Sequence, residues 1–240
     1  LFFFVALAYS SVGLGGGSSY VALLAIFGFS APVIPMVSLT LNLLVTSLAS
    51  YNFIRQRHAS AGLIAPFLVA SIPMAWIGGS LQVPKELFFW LLLLCLCFVA
   101  ARIYFWKETA LHTRPGRTGR LVISVLVGAI LGLAAGIVGI GGGIFLVPLI
   151  IILGLGTPKQ AAACGAIFIW LNSLAGLASR LQYHDVNWID YTPLYLGVIA
   201  GGALGSFMGS SRLSSATLEK VLGAIVIVAI VILLRKLSVL

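Results

Sequence analysis

The stretch Val138-Gly139-Ile140-Gly141-Gly142-Gly143 decides the fold, because it places four glycines inside a long apolar segment. A close copy, Val12-Gly13-Leu14-Gly15-Gly16-Gly17, lies 126 residues earlier. The same offset pairs further identical residues: Pro32 with Pro158, Gln56 with Gln182, and His58 with His184. The sequence therefore indicates an internal duplication.

The composition is that of a polytopic membrane protein. Hydrophobic residues make up 61% of the 240 residues and charged residues 8%, whereas a soluble domain has roughly 25% charged residues. The net charge of +9 is expected in cytoplasmic loops, where it sets the orientation of the protein in the membrane. We therefore attribute the positive charge to the orientation of the protein in the membrane, and we expect no nucleic acid partner. The three cysteines lie in apolar segments without other metal ligands, so we expect no metal and no cofactor.

The apolar segments predict an all-α membrane protein with about eight transmembrane segments in two homologous four-segment repeats. Roughly 20 apolar residues cross a bilayer. We expect an N-terminal transmembrane repeat at 1–106, a cytoplasmic linker at 107–120 and a C-terminal transmembrane repeat at 121–240. The first segment of each repeat is broken at its glycine run. Irregular backbone at membrane depth is tolerated only where it is buried in protein or lines a cavity, and paired breaks point to a transporter's binding site.

The relative orientation of the two repeats is open, because the 14 Lys and Arg residues divide ten against four in either topology. Residues 144–153 would rise only about 15 Å as a helix, which is half the hydrocarbon core. This length favours single crossings by the broken segments, and hence parallel repeats. The alternative is a re-entrant hairpin in each repeat, which gives inverted repeats.

The glycine runs are the candidate substrate site. No strand precedes them and no Gly-Lys-Ser/Thr ending follows, which excludes a dinucleotide fingerprint and a phosphate loop. Glycines that open a half-helix leave N–H donors at its positive dipole end, which attracts an anion. The candidate residues are Gly15, Gly16, Gly17, Ser18 and Ser19 in the first copy and Gly141, Gly142, Gly143 and Ile144 in the second. The competing interpretation is that the glycines only allow close helix crossing.

Polar side chains in the neighbouring segments extend this candidate site. Asn42 and Thr46 are four residues apart and share one helix face, and Trp170, Asn172 and Ser173 lie in the corresponding segment of the second repeat. Amides and hydroxyls at membrane depth need partners. These residues therefore either contact substrate or bind one helix to another.

All five carboxylates lie at segment ends or in loops, so an intramembrane acid of the kind that couples ion gradients is not expected. His58 and His184 are the candidates for gating or proton coupling, since histidine is the residue type that titrates near neutrality. Arg57 and Arg180 stand nearby and are candidates to guide an anion. The alternative is that all four are solvated loop residues. We find no constellation of nucleophile, acid and base, so an enzyme is not expected.

The second glycine run continues as Gly139-Ile140-Gly141-Gly142-Gly143-Ile144-Phe145-Leu146-Val147-Pro148-Leu149, and Asn172-Ser173-Leu174-Ala175-Gly176 follows later. With these motifs and the duplicated layout, the chain resembles the sulfite exporter TauE/SafE family, also called the toluene sulfonate uptake permeases. The resemblance implies a carrier in the inner membrane of bacteria or archaea. Its substrates would be small sulfur-containing anions such as sulfite, sulfonates or sulfoacetate.

Together these observations predict a secondary transporter, and the resemblance favours an exporter that works by alternating access. The partners we expect are a small anionic substrate, the lipid bilayer and a proton as coupling ion; a homodimer is left open. The alternatives are an anion channel without coupling, and a carrier for another small anion.

Overall fold

The computed structural model describes residues 1–11, 13–105, 116–209, 226–228, 230–235 and 237. These residues form helices and connecting turns, and no strand occurs among them, which confirms the all-α class. Of the expected linker, only 116–120 lies within the described residues. Residues 117–120 already belong to a helix there, so the helix begins four residues before the predicted boundary.

Nine helices precede residue 210 in the described part of the chain. Their bounds are α1 Phe2–Ser11, α2 Gly17–Ile26, α3 Val33–Arg55, α4 Ala61–Ser80, α5 Lys85–Phe105, α6 Arg117–Val138, α7 Gly143–Ile152, α8 Pro158–Arg180 and α9 Thr192–Gly209. A short 3-10 helix at Trp188–Tyr191 leads into α9. Residues 226–228 and 230–235 are also helical.

Four of the described helices are long and apolar enough to cross a membrane. These candidate spans are Val33–Arg55, Ala61–Ser80, Thr118–Val138 and Pro158–Arg180. In contrast, α2 and α7 have 10 residues each, which gives a rise of about 15 Å, or half of a hydrocarbon core. Membrane insertion is thus supported by length and composition, and α2 and α7, like the 10-residue α1, are only half as long as a span.

Both short helices begin directly after glycines in the left-handed region. Gly16 precedes α2 with φ 92° and Gly142 precedes α7 with φ 73°. Gly139, with φ 84°, ends α6. Only glycine adopts these values readily, and a left-handed glycine is a common end to a helix. The local sequence therefore explains why the helices stop and restart at the glycine runs.

Small residues let α4 and α6 pack with their backbones in contact. A Cβ atom on Gly128, Gly132 or Gly136 of α6 would overlap the carbonyl oxygens of Phe67, Ser71 and Ala75, respectively. The residue numbers of the contacting pairs increase together along the two helices, so α4 and α6 run parallel. Close approach of this kind is typical of small-residue motifs in membrane helices.

Helices α1 and α9 form a second parallel pair with the same spacing. A Cβ atom on Gly201 or Gly205 of α9 would overlap the carbonyl oxygens of Phe3 and Leu7, respectively. Each of the two pairs joins a helix from the N-terminal half of the chain to one from the C-terminal half. The two halves are therefore interleaved and do not form separate bundles.

Helices α3 and α8 pack side by side in opposite directions. Leu39 of α3 contacts Gly176 of α8, whereas Ser47, further along α3, bonds to Trp170, which comes earlier in α8. Shifting the bounds of α3 by 126 residues gives those of α8 to within one residue. Sequence-equivalent helices thus run antiparallel, and the parallel orientation that we expected is wrong for this pair.

The reason is that the chain turns back at the second glycine run. Gly143 and Val147 of α7 face Ile169 and Gly165 of α8, so α7 runs antiparallel to α8. Helix α6 runs parallel to α8, since Leu131 and Gly136 lie level with Phe168 and Gly176. We expected α7 to complete the crossing begun by α6, but α6 is 22 residues long and α7 returns along α8.

Candidate functional site

The two glycine runs meet at one place. A Cβ atom on Gly17, at the start of α2, would overlap the carbonyl oxygen of Ile140 in the other run. Asn42 of α3 lies between the runs: its Nδ2 atom is 2.6 Å from the Cβ position of Gly17 and 2.9 Å from that of Gly141. Two breaks that are far apart in sequence thus enclose one buried amide.

Each short helix presents an uncapped N-terminus here. Gly16 and Gly142 occupy the N-cap positions and supply no side-chain hydrogen bond. Among the described residues, none accepts a hydrogen bond from the N–H groups of Gly17, Ser18, Gly143 or Ile144. Free N–H donors at the positive ends of two helix dipoles favour negative charge.

Ser38 joins the two runs, and our sequence analysis did not identify it. Its hydroxyl donates to the carbonyl oxygen of Gly139 at 2.8 Å and lies 3.4 Å from that of Gly17. Ser38, Asn42 and Thr46 follow each other at intervals of four, which places them on one face of α3. That spacing was the feature of the sequence from which Ser38 could have been predicted.

Three buried oxygens at this place lack hydrogen-bond partners in the described structure. They are Asn42 Oδ1, Asn172 Oδ1 and Ser173 Oγ, and all three residues are 0% exposed. Ser173 Oγ lies 3.6 Å from the Cβ position of Gly141. Since a buried polar atom without a partner costs about 1–3 kcal/mol, a ligand or water that donates to these oxygens would be stabilising.

Apolar groups close the remaining sides. The Cγ2 atom of Ile169 lies 3.1 Å from the Cβ position of Gly15 and 2.9 Å from that of Gly141. The Thr46 hydroxyl donates to the carbonyl of Asn42 in its own helix at 2.7 Å, and its Cγ2 faces Gly15 at 3.0 Å. Thr46 therefore lies at the predicted place but turns a methyl group towards Gly15.

Three predicted residues have other partners. The Ser18 and Ser19 hydroxyls lie 3.2 and 3.1 Å from the Tyr9 hydroxyl and join α2 to α1. The Trp170 indole donates to Ser47 at 2.8 Å on an exposed face between α3 and α8. The backbone N–H of Ser18 still belongs to the candidate site, whereas these three side chains bind helices together.

Arg180 differs most from expectation. It is 5% exposed, and its guanidinium donates to the carbonyl of Gly136 at 2.9 and 3.1 Å and to that of Ile137 at 2.6 Å. These carbonyls lie in the last turn of α6, where no intrahelical donor is available. Arg180 thus caps α6, and the alternative of a solvated loop residue is wrong for it; its role in guiding an anion stays a prediction.

The remaining gating candidates lie away from the glycine runs. Arg57 is exposed and His58 half-buried, just beyond the end of α3. His184 is half-buried just beyond the end of α8. Because α3 and α8 are antiparallel, the two histidines lie at opposite ends of the helix pair.

Comparison with known proteins identifies the family of the chain. The sequence model of the sulfite exporter TauE/SafE family matches residues 1–234. The chain is 34% identical over 235 residues to the probable membrane transporter protein y4hK of Sinorhizobium fredii, which covers 95% of this chain and 93% of that protein. It is also 34% identical to the probable membrane transporter protein YunE of Bacillus subtilis, over 84 residues that cover 35% of this chain and 31% of that protein.

No solved structure matches the chain. The family match spans nearly the whole sequence, and it confirms the resemblance drawn from the two glycine runs. The chain belongs to the sulfite exporter TauE/SafE family.

Proposed function

We propose that the protein is a secondary carrier that exports small sulfur-containing oxyanions, such as sulfite, sulfonates or sulfoacetate, across the inner membrane of a bacterium or archaeon. In this proposal, eight segments form two inverted repeats that give alternating access to one site. The observation that carries the proposal is that the two glycine runs meet at Gly17 and Gly141 beside the buried Asn42, and that an uncapped half-helix begins at each run.

The chemistry of this place favours an anion. Backbone N–H groups of two helices supply donors without a counter-charge, and in a site of low dielectric such interactions are stronger than in water. The carboxylates of the described residues lie elsewhere: Glu86 in the first turn of α5, Asp185 in a loop, and Asp190 in the 3-10 helix. An anion therefore meets donors but no carboxylate of the described chain.

The packing around the two runs favours a carrier over a channel. Gly15, Gly17 and Gly141 each have protein atoms within 3.0 Å of their Cβ positions, so the backbone of the two runs is closely packed. A cavity of about 650 Å³ lies to one side, at the starts of α4 and α6, where Ser60, Arg120 and Ser124 contribute polar lining. Passage past the runs would require helices to move, as in alternating access.

We assign Arg57, His58 and His184 to access to the site and not to substrate contact. Arg57 and His58 lie two to three residues before Ser60, which lines this cavity. His184 lies beyond the opposite end of the α3 and α8 pair. Residues at both ends would meet an anion before and after it reaches the glycine runs.

A thermal-shift screen of the purified protein tests the substrate class, since a ligand that binds only the folded protein raises its Tm. The ligands are sulfite, thiosulfate, small sulfonates and small carboxylates. We expect the sulfur oxyanions to raise the Tm of the wild type. A protein stabilised by none of these anions would contradict the proposal, and a response limited to carboxylates would change the substrate.

A further inference from the structure

We propose that the bound oxyanion carries a hydrogen-bond donor of its own, so that the transported species is a singly protonated oxyanion such as hydrogensulfite. This inference rests on the proposed function and concerns the same site. It follows from the unpartnered oxygens of Asn42 and Asn172, which are acceptors and cannot bind the negative oxygens of an anion.

The orientation of each amide is fixed by a backbone carbonyl. Asn42 Nδ2 lies 3.5 Å from the carbonyl oxygen of Gly139, and Asn172 Nδ2 donates to that of Phe168 at 2.8 Å. Reversing either amide would bring its oxygen against a carbonyl oxygen, where no hydrogen is available. The NH2 groups are thus engaged, and the two Oδ1 atoms remain as acceptors without a partner in the described structure; that of Asn42 lies 2.7 Å from the Cβ position of Gly15 in the first run.

The candidate site therefore offers both hydrogen-bond donors and hydrogen-bond acceptors. Backbone N–H groups at Gly17, Ser18, Gly143 and Ile144 donate, while Asn42 Oδ1 and Asn172 Oδ1 accept. The Ser173 hydroxyl adapts to either role, because it both donates and accepts. A ligand that satisfies the whole set needs negative oxygens on one side and an O–H group on another.

Hydrogensulfite has this combination, whereas the dianion sulfite and the head group of a simple sulfonate have only acceptors. The O–H bond stays intact on the oxyanion, so no covalent bond forms or breaks at the site. After release, the oxyanion exchanges its proton with water on the side that it has reached. The proton then moves with the substrate, and coupling needs no carboxylate at membrane depth.

The test measures binding of two monoanions by calorimetry at mildly acidic pH: hydrogensulfite, and methanesulfonate, in which a methyl group replaces the hydroxyl. We expect hydrogensulfite to bind at least about tenfold more tightly, because a buried acceptor left unpaired costs about a tenfold change in affinity or more. Raising the pH to mildly alkaline values should weaken sulfite binding and leave methanesulfonate binding unchanged.

Asn42→Leu and Asn172→Leu should each reduce the preference for hydrogensulfite. The matched control is Asn52→Leu in α3, where the amide bonds to Ser206 instead, and it should keep the preference. Equal wild-type affinities for the two anions would overturn the inference while leaving anion transport intact. A requirement for Na⁺ in the binding of both anions would also overturn the inference, since the amide oxygens would then bind the cation. If neither anion binds, the proposed function itself fails.

Discussion

Thr46 and Asn172 make the same hydrogen bond 126 residues apart: each side chain donates to the backbone carbonyl four residues earlier in its helix. The Thr46 hydroxyl bonds to the carbonyl of Asn42 at 2.7 Å and the Asn172 amide to that of Phe168 at 2.8 Å. The two bonds differ in their consequence, because the Oδ1 atom of Asn172 remains without a hydrogen-bond partner in the described structure.

The two halves of the candidate site are consequently unequal. At the offset of 126 residues, Asn42 corresponds to Phe168 and Ser38 to Cys164. Helix α3 thus brings an amide and a hydroxyl to the glycine runs, whereas α8 brings its amide and hydroxyl one turn later, at Asn172 and Ser173. Both helices have to be present for the ligand to meet the complete set of donors and acceptors.

The amide of Asn42 should matter more for anion binding than for folding. We expect Asn42→Ala to weaken binding by about 1.5–3 kcal/mol, the contribution of a hydrogen bond to a charged partner. Loss of a polar contact between helices in a bilayer costs only about 0.6 kcal/mol on average. Titration calorimetry and thermal unfolding measure the two effects on one sample, with Asn52→Ala as the control in the same helix. A lowered Tm with unchanged affinity would show that Asn42 only joins helices.

Arg180 should be important for stability. Arg180→Gln removes a charged donor from the last carbonyls of α6, and we expect the free energy of unfolding to fall by about 1.5–3 kcal/mol. Arg180→Lys should not restore it fully, because an ammonium lacks the planar fork of donors. Arg57→Gln, at an exposed position, should change stability by less than about 0.5 kcal/mol. Unaltered stability of Arg180→Gln would disprove the capping role.

The antiparallel packing of α3 and α8 predicts that their C-terminal ends face opposite sides of the membrane. Gln56 and Gln182 correspond at the offset of 126 residues, and both are exposed just past these helices. In a background where the three native cysteines are alanine, Gln56→Cys and Gln182→Cys should react with an impermeant maleimide from opposite sides. Labelling of both from the same side would restore the parallel arrangement.

The histidines at the two ends provide a separate test of access. Exchange of methanesulfonate, which does not titrate near neutrality, can respond to pH only through the protein. We expect its rate to change with pH, because histidine is the side-chain type that can change its charge near physiological pH. Replacing both His58 and His184 by Gln should flatten that profile and leave the pH dependence of sulfite binding in place. If the double variant keeps the full pH dependence of the exchange rate, the two histidines take no part in the mechanism.

The positions of the helix ends at the glycine runs were predictable, because runs such as Gly141-Gly142-Gly143 act locally on the backbone. Asn42, Asn172 and Ser173 were predictable as polar groups at membrane depth that need partners. The orientation of the repeats was not, since the basic residues divide equally between the two topologies. The contacts of α6 and α7 with α8, such as that of Val147 with Gly165, show that the chain turns back.

The side-chain contacts between different helices could not be predicted from the sequence either. Nothing around Trp170 shows that its indole faces Ser47, and nothing around Ser18 shows that Tyr9 lies opposite. Arg180 ends an apolar segment, as a solvated residue would, and its role depends on carbonyls about 44 residues earlier in the chain. Local periodicity places a side chain on a helix face, but the neighbour of that face is set by the tertiary fold.

The central claim is that a carrier binds sulfur oxyanions at the two glycine runs, and sulfite counterflow in proteoliposomes tests it most directly. Wild-type protein should transiently accumulate labelled sulfite against unlabelled sulfite inside. Gly17→Ala should abolish this, because its Cβ would overlap the Ile140 carbonyl and lie 2.6 Å from Asn42 Nδ2. Gly62→Ala, where no atom lies within 4 Å of the Cβ position, should retain it. Uncoupled flux without counterflow, or counterflow that survives Gly17→Ala, would contradict the claim.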